Sequence, residues 1–456
     1  MKLDHVLLAR SLFGTSLAFH IIFATLGVGI PLLVVLAEVT FALTGDSDYA
    51  IMAKRWTRGF TVVLAVGITT GTIVALQLSL LWPRFMQVVG QVIALPFLIE
   101  IFAFFIEAVF MSIYVYAADR IPQRWRILSV TFVAFGAAMS ALLITDANSF
   151  MNTPRGFRME NGRAIDVHPW LAVFNPALPT QDTHVIMSVY TAVPFVLATV
   201  AAVGLVRRHI SKREREHHSK ALMLTLALGG FFGILTAISG DLSGKFLAHY
   251  QPAKLAVAEG LFRTTKHAPL VIGGWPDVKT LQVIGGIHIP GLLSFLATDR
   301  FDGVVKGLLA FPKDQWPPLF AHELFDTMVG LGTLLIGIAI LGWFLKTIRR
   351  RLEFPFPKWY LFLVIVSGFL AMCAIECGWL YAELGRQPWT IYGIMRTTEA
   401  VTGAPYIRTI FILFMLLYLL LTVATILVLR TYFLRHPLAQ DIEPGPIRPR
   451  KVVWLP

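Results

Sequence analysis

The sequence predicts an all-α integral membrane protein with about nine transmembrane helices in bundles, and three observations support this fold class. Hydrophobic residues make up 56% of the 456 positions and charged residues only 14%, whereas soluble domains carry about 25% charged residues. About nine apolar runs are each long enough to cross a bilayer. One long, more polar connection, residues 242–318, separates the sixth run from the seventh.

The predicted spans rest on the rule that a helix needs about 20 mainly apolar residues to cross the hydrocarbon core. They cover residues 14–37, 60–82, 92–117, 127–146, 185–206, 221–241, 319–345, 359–382 and 409–429. The chain therefore divides into residues 1–241 with spans one to six, residues 242–318 as an extracytoplasmic loop, and residues 319–456 with spans seven to nine and a cytoplasmic tail. Loops of this length are usually functional or disordered, and the Gly, Pro and Trp content of this one predicts order against the membrane surface.

The distribution of lysine and arginine predicts the orientation in the membrane. Outside the long loop, most of these residues follow spans one, three, five, seven and nine, and basic loops of this kind stay in the cytoplasm. The N-terminus and the long loop are therefore predicted outside, and the C-terminus inside. The net charge of +12 fits basic loops beside anionic headgroups. Nucleic-acid binding is not expected, because no basic run carries a recognition motif.

Four side chains that can ligate iron fall at a similar depth in the predicted spans. His20, His184, Met328 and Glu376 all lie in the outer half of the membrane under this topology. Singly, each has a structural alternative: a hydrogen-bonded histidine, a methionine that fills the core, or a buried carboxyl group. Together they match the residue types that hold haem iron, and a helix bundle is a usual frame for such a site.

Span three adds two carboxyl groups, Glu100 and Glu107. Their separation of seven residues places both on one helix face, two turns apart. Carboxyl groups in hydrocarbon suit proton transfer. The alternative is a pair of neutral carboxyl groups bonded to neighbouring helices.

The run from Glu376 to Trp389, ECGWLYAELGRQPW, resembles the signature E-x-G-W…E-x-G-R-Q-P-W of subunit I of cytochrome bd-type quinol oxidases. The glutamates of span three, the Asn148-Ser149-Phe150-Met151 turn, His20 and His184 also fall where that family has theirs. The nine-span layout with a long loop after span six agrees, so the resemblance covers nearly the whole chain.

The resemblance implies three haems and assigns their ligands. His184 and Met328 would be the axial ligands of the low-spin haem b558. His20 and Glu376 would serve the high-spin haems b595 and d, in an order that stays open, and the third haem could be another b-type haem. Arg386 and Trp389, within the signature, are expected to bind cofactor.

The resemblance also implies the reaction. Lys254 and Glu259 would bind quinol in the outer loop, which looks like the short version of the family's quinol loop. Glu100 and Glu107 would lie on the proton path, so residues 1–241 would contain the high-spin haem and proton-path region. Quinol would be oxidised outside and O2 reduced to water with cytoplasmic protons, which generates proton motive force without pumping. The expected partners are subunit II, in some members a small single-span subunit, and the lipid bilayer of a prokaryotic cell membrane.

One position departs from the family pattern. Members usually have an arginine two residues before the ligating methionine, whereas this chain has Asp326 before Met328. An acid in place of a cation is expected to lower the potential of haem b558, unless Asp326 is protonated or paired.

Two other functions remain open on sequence grounds. A secondary transporter would also carry carboxyl groups in the membrane, but transporters usually show inverted repeats with broken helices. A haem-bearing electron-transfer or oxygen-sensing subunit without turnover would need the same ligands. A haem spectrum separates the transporter from the oxidase, and turnover with quinol separates the sensor.

Overall fold

The computed structural model describes residues 2–117, 120–352, 354–403 and 406–442, and most of these residues are helical. The last part of the predicted cytoplasmic tail, residues 443–456, lies outside the described residues. The helices are α1 (Lys2–Thr44), α2 (Ser47–Leu81), α3 (Pro83–Val89), α4 (Ala94–Ala117), α5 (Gln123–Asn152), α6 (Pro169–Val173), α7 (Leu178–Leu205), α8 (Lys212–Tyr250), α9 (Pro252–Ala258), α10 (Leu292–Thr298), α11 (Ala321–Ile348), α12 (Lys358–Leu384), α13 (Thr397–Ala400), α14 (Ile407–Arg435) and α15 (Leu438–Ile442).

Ten short strands and two 3-10 helices lie in the connections between these helices. The strands are β1 (Arg158–Glu160), β2 (Arg163–Ile165), β3 (Thr265–Lys266), β4 (Leu270–Ile272), β5 (Trp275–Asp277), β6 (Gln282–Ile284), β7 (Ile287–Ile289), β8 (Val304–Val305), β9 (Trp389–Ile391) and β10 (Met395–Arg396). The 3-10 helices are Leu308–Ala310 and Lys313–Gln315.

Nine helices in the described part of the chain are long and apolar enough to cross a membrane, which confirms the predicted number of spans. They are α1, α2, α4, α5, α7, α8, α11, α12 and α14. Several extend beyond the predicted apolar runs: α8 has 39 residues and continues to Tyr250 instead of ending at residue 241. A helix of that length measures about 60 Å, roughly twice the hydrocarbon thickness. Its last turns therefore project beyond the hydrocarbon core.

Local signals in the sequence account for where several helices begin. The Asp46 side chain accepts a hydrogen bond from the backbone N–H of Asp48 and caps α2. Ser211 and Glu214 form a reciprocal capping box at the start of α8. Such caps satisfy backbone N–H groups that have no partner within the helix.

The spans form two four-helix bundles with one helix beside them. In the first bundle the helices pack in a row, α2 on α1, α1 on α5 and α5 on α4, whereas in the second α7, α8, α11 and α12 close on one another. α1 and α5 pack against α7 and join the bundles, while α14 packs against α1 and α2. In the second bundle both α7 and α11 pack on α8 and α12, so α7 and α11 occupy opposite corners.

The connection between spans six and seven contains short strands and helices. Three antiparallel strand pairs are nested within it: β5 with β6, β4 with β7 outside them, and β3 with β8 outermost. The helix α10 lies between β7 and β8 along the chain. The connection begins with α9, whose side chains are almost all buried.

Candidate functional site

His20 is held by the helix next to its own. Its Nδ1 lies 3.0 Å from the hydroxyl of Thr70 on α2. The next residue is Gly71, where a Cβ atom would lie 3.0 Å from the imidazole Cε1. A glycine is therefore needed for the ring to lie against α2 in this position.

His184 has the same surroundings in the other bundle. Its Nδ1 lies 3.1 Å from the hydroxyl of Ser239 on α8. Ser239 is followed by Gly240, where a Cβ atom would lie 3.4 Å from the His184 ring. A hydroxyl residue followed by glycine thus supports each of the two predicted histidine ligands.

These contacts determine which ring nitrogen is free. The Thr70 hydroxyl donates to the Val66 carbonyl at 2.8 Å, and the Ser239 hydroxyl donates to the Thr236 carbonyl at 3.0 Å. A hydroxyl has one proton to donate, so each must accept from Nδ1–H of its histidine. The neutral imidazole then has its lone pair on Nε2, which is the arrangement of metal-ligating histidines.

Met328 packs against span eight at a glycine close to Glu376. A Cβ atom at Gly378 would lie 3.0 Å from the Met328 sulfur. Since Gly378 is two residues from Glu376, the sulfur and this carboxyl group lie within about one turn of each other along α12. His184 and Met328 stand on α7 and α11, the opposite corners of the second bundle.

Glu376 lines a cavity between the two bundles. The cavity has a volume of about 540 Å³ and is mostly apolar, with α1 on one side and α12 on the other. Ala18 and Ile21, which flank His20 in the sequence, line the same cavity. The Oε1 atom of Glu376 is buried and has no hydrogen-bond partner among the described residues. Such an atom has a lone pair available for a ligand.

The signature residues after Glu376 belong to a buried polar network. Arg386 is 3% exposed, lines the cavity, and donates to Glu383 at 2.7 Å. Glu383 also accepts a hydrogen bond from Asn148. The Trp389 backbone N–H donates to the Arg386 carbonyl at 3.1 Å, and the Arg396 guanidinium lies 5.3 Å from the Trp389 ring centre. Arg386 therefore borders the cavity, and the Trp389 ring packs on Arg396 of β10.

The network continues to Gln251, the residue between α8 and α9. Asn148 accepts from Gln181 at 2.7 Å, and Asn152 donates to Gln181 at 3.0 Å. Gln251 then donates to the Asn152 side chain at 3.1 Å. A continuous set of hydrogen bonds thus joins the signature on α12 to the start of α9.

Lys254 and Glu259 lie at the two ends of the short helix α9, and both are buried. The Lys254 ammonium donates to the Ala382 carbonyl at 2.9 Å and lies 5.4 Å from the Tyr381 ring centre. Glu259 follows the last residue of α9. The two predicted quinol residues are therefore brought to one element, which packs on the start of α11 and the end of α12.

Burial shifts the pKa of Lys254 and that of Glu259 in the direction that favours the uncharged side chain. Desolvation, with a contribution from the Arg386 charge, lowers the pKa of Lys254 to about 7. Desolvation, with a contribution from the Asp326 charge, raises the pKa of Glu259 to about 8. Between about pH 7 and pH 8 both side chains are mainly uncharged, which suits a site for an uncharged ligand.

Asp326 has two neighbours that the sequence did not indicate. It accepts a hydrogen bond from the Gly273 backbone N–H at 2.5 Å, and its Oδ2 lies 3.7 Å from Nε2 of His322. His322 is completely buried and donates from Nδ1 to the Ala258 carbonyl at the end of α9. Asp326 is thus paired with the connection between spans six and seven.

Glu100 and Glu107 both face α5, as their spacing predicted. Glu100 accepts a hydrogen bond from Ser140 at 2.6 Å. Glu107 is 6% exposed and lies where α4 meets Gly136, because a Cβ atom there would approach the Glu107 backbone nitrogen to 2.9 Å. The two carboxyl groups form one polar line along the α4–α5 contact.

The donor set fits haem iron. Two histidines present Nε2 lone pairs, a methionine sulfur lies on the corner opposite one of them, and an unpaired carboxyl oxygen lines an apolar cavity. These are the ligand types and the surroundings that haem proteins use. A family model described as "Cytochrome bd terminal oxidase subunit I" matches residues 8–437. The chain belongs to this family.

Relatives of the cytochrome bd family match over nearly full length. The chain is 50% identical to the "Putative cytochrome bd menaquinol oxidase subunit I" of Bacillus subtilis, over 97% of this chain and 99% of the relative. It is 32% identical to the "Cytochrome bd ubiquinol oxidase subunit 1" of the same organism, over 88% and 86% of the two chains. The solved bd oxidase of Geobacillus thermodenitrificans superposes with a TM-score of 0.90 at 45% identity, covering 95% of this chain and 99% of that one.

These matches confirm the predicted family and fold. The chain is a multi-pass membrane subunit of a bacterial respiratory quinol oxidase, a class that has haem cofactors and a partner subunit.

Sequence reasoning missed several residues that build this cytochrome bd site. Thr70, Ser239, Gln251 and His322 are polar residues that seemed unremarkable beside the charged ones. The recurring pairs Thr70-Gly71 and Ser239-Gly240 are a signal that could have been found. Glu38 was also missed: it is fully buried and accepts hydrogen bonds from Tyr114, Gln123 and Arg126.

Proposed function

We propose that this chain is the haem-bearing catalytic subunit of a quinol:O2 oxidoreductase that oxidises quinol at the outer side and reduces O2 to water. The observation that carries the proposal is the pair of histidines whose Nε2 atoms are left free by a hydroxyl residue and a glycine behind each ring. Neither a transporter nor a purely structural bundle requires this arrangement.

The proposed ligands divide between two regions. His184 and Met328 hold haem b558 within the second bundle. His20 and Glu376 hold the high-spin haems, b595 and d or a second b-type haem, beside the cavity between the bundles, with Arg386 and Trp389 as further cofactor contacts. When bound, the haems supply electron transfer from quinol and the reduction of O2.

In this proposal quinol binds at α9 and loses its protons there. The ionised carboxylate of Glu259 accepts a proton from a quinol hydroxyl, and Lys254 orients the other oxygen of the quinol ring. The most similar of the relatives named above is called a menaquinol oxidase, so we propose menaquinol as the substrate. Assays with menaquinol and ubiquinol analogues test this choice, and faster turnover with the ubiquinol analogue would contradict it.

The proposed orientation places the N-terminus and α9 outside and the C-terminus in the cytoplasm. Protons from quinol are then released outside, while Glu100 and Glu107 deliver protons from the inside. This separation generates proton motive force without a pump. Subunit II completes the enzyme, and a small single-span subunit is a further proposed partner.

A reduced-minus-oxidised optical spectrum of the enzyme purified with its partner subunit tests the function. We expect bands of low-spin and high-spin b haems and the far-red band of a chlorin. Haem b bands without the chlorin band would show that the third haem is another b-type haem and not haem d. A protein without any haem spectrum would contradict the proposal and favour a transporter.

Glu107→Gln is expected to slow O2 reduction by about 100-fold, because a positioned proton carrier typically contributes 10²–10⁴-fold to a rate. The haem spectrum should be unchanged, since Glu107 ligates nothing in this proposal. Steady-state O2 consumption measures the effect. Glu160→Gln, at an exposed position on β1, is the control. Equal rates in the Glu107→Gln and Glu160→Gln enzymes would exclude Glu107 from the path.

Asp326→Asn is expected to raise the midpoint potential of haem b558 by on the order of tens of millivolts, because it removes a negative charge near the proposed ligand Met328. The hydrogen bond from Gly273 partly offsets that charge, so the effect is smaller than for an unpaired acid. A redox titration of wild-type and variant enzymes measures it. An unchanged potential in the variant would show that Asp326 carries no charge that the haem senses. A lower potential would contradict the expected direction.

A further inference from the structure

A groove between spans six and seven lies at the end of the molecule opposite α9. We call it the α8–α11 groove. It has a volume of about 550 Å³ and is lined by one face of α8, the last turns of α11 and the segment before α12. This volume lies within the range of roughly 300–1,000 Å³ that small-molecule sites occupy.

One end of the groove is basic. Lys212, Arg215 and Lys346 line it and form no ion pair among the described residues. A fourth lysine, Lys220, is committed to Asp46 and Asp48 at 2.5 and 2.6 Å. Among the described residues, the only acid in the lining is Glu216, so the lining that the structure describes has an excess of positive charge.

Aromatic rings position two of these cations. The Arg215 guanidinium lies 5.9 Å from the centre of the Phe354 ring, and the Lys346 ammonium lies 5.0 Å from that of Trp343. Tryptophan beside a basic residue is typical of the membrane interface. The basic end therefore lies at headgroup level.

The other end of the groove is apolar and reaches into the hydrocarbon region. Along α8 the lining runs in a single stripe from Lys212 through Met223 and Leu224 to Ala227. Fifteen residues of helix measure about 22 Å. Charge at one end and apolar walls over such a length match an amphipathic ligand.

The wall opposite α8 is held rigidly. Phe356 is 4% exposed and stacks on Tyr360 with ring centres 5.7 Å apart. The Tyr360 hydroxyl donates to the Ile338 carbonyl of α11 at 2.9 Å. The segment before α12 is thereby attached to α11, and the groove is preformed.

We propose that the α8–α11 groove binds one anionic phospholipid of the surrounding bilayer, with its phosphodiester among Lys212, Arg215 and Lys346 and an acyl chain along Met223 and Ala227. A soluble anion would use the basic end alone and leave the apolar stripe without a partner. A zwitterionic phospholipid would offer the same phosphodiester but would add a cationic ammonium group to a site that already has an excess of positive charge. The proposed orientation places this groove on the cytoplasmic side, and basic pockets between transmembrane helices on that side are suited to anionic headgroups.

The bound lipid joins two helices that carry parts of the candidate site. α8 contains Ser239, which holds His184, and α11 contains Met328. A lipid that contacts both helices at their other ends restrains their separation. Loss of the lipid is therefore expected to lower the thermal stability of the second bundle.

The test uses the complete oxidase with its partner subunit, reconstituted in bilayers containing phosphatidylglycerol and phosphatidylcholine, then extracted and examined for retained lipid by native mass spectrometry. We expect wild-type enzyme to retain phosphatidylglycerol selectively. The triple variant Lys212→Gln, Arg215→Gln and Lys346→Gln should retain at least about tenfold less, since each basic residue contributes roughly a fivefold preference for anionic lipid.

The control triple variant, Arg207→Gln, Arg208→Gln and Arg350→Gln, removes the same charge at the same end of the molecule from exposed positions outside the groove. It should retain phosphatidylglycerol like the wild type. Ala227→Phe fills the apolar end without changing charge and should also lose the lipid. Equal retention in wild type and groove variants, equal loss in the control, or displacement of the lipid by inorganic phosphate would each overturn the proposal.

Discussion

His184→Ala is expected to remove the low-spin haem b558 bands from the optical spectrum and to lower quinol oxidation by at least about 100-fold. The imidazole is the only nitrogen ligand proposed for that iron, and a shortened side chain leaves Met328 without a partner across the bundle. The high-spin haem bands should remain, because the ligands proposed for those haems, His20 and Glu376, belong to the region beside the cavity between the bundles. Pyridine haemochrome analysis of total haem, together with the spectrum, measures the loss.

The control for this variant is His249→Ala, which changes an exposed histidine in the last turn of α8. It should leave the spectrum and the rate unchanged. Ser239→Ala provides an intermediate case, because outer-shell partners of ligating histidines typically contribute 10–100-fold to metal affinity. Low-spin bands of full intensity in His184→Ala would refute the assignment of this ligand.

Glu259→Gln is expected to lower kcat/KM for quinol by about 10²–10⁴-fold while the haem content stays normal, because the variant lacks the proposed proton acceptor. Dithionite should still reduce all haems, since it does not use the quinol site. This difference separates a defect in substrate oxidation from a defect in assembly. Asp302→Asn, at a partly exposed carboxylate that pairs with Arg300 in the same connection, is the control.

The pH dependence follows from the direction of the Glu259 shift. Burial raises the pKa of Glu259 to about 8, so the carboxyl group is protonated below that pH and accepts a proton only above it. In wild-type enzyme kcat/KM should therefore rise between about pH 7 and pH 9. Glu259→Gln should lose this rise. A profile that is flat in the wild type would exclude Glu259 as the acceptor.

The fold could be predicted because the bilayer imposes a simple rule on the sequence. Each span needs a long apolar run, and all nine predicted runs lie within or overlap helices that are long enough to cross the membrane. The helix ends could not be predicted from the same rule. α8 passes residue 241 because Asp241 and Lys245 pair one turn apart at 3.0 Å, and a helix outside the hydrocarbon core tolerates charge.

The candidate site could be predicted only in part, because the residues that support the proposed ligands are distant from them in the sequence. The charged and ligand-type residues stand out in apolar spans, so His20, Glu107 and Glu376 could be found singly. Thr70 lies 50 positions from His20 and Ser239 lies 55 from His184, and hydroxyl residues are common in spans. The pairing of Asp326 with Gly273 depends on how the connection between spans six and seven packs against α11. Apolar periodicity does not specify that packing.

The hydroxyl–glycine pairs behind the two histidines also bear on how these sites can be altered. Their hydrogen bonds use only protein atoms, so the neighbouring helices themselves hold the ring orientation and the tautomer. A substitution at Thr70, Gly71, Ser239 or Gly240 would therefore change a proposed ligand without removing it. Such changes could adjust the properties of a haem while its ligand set stays the same.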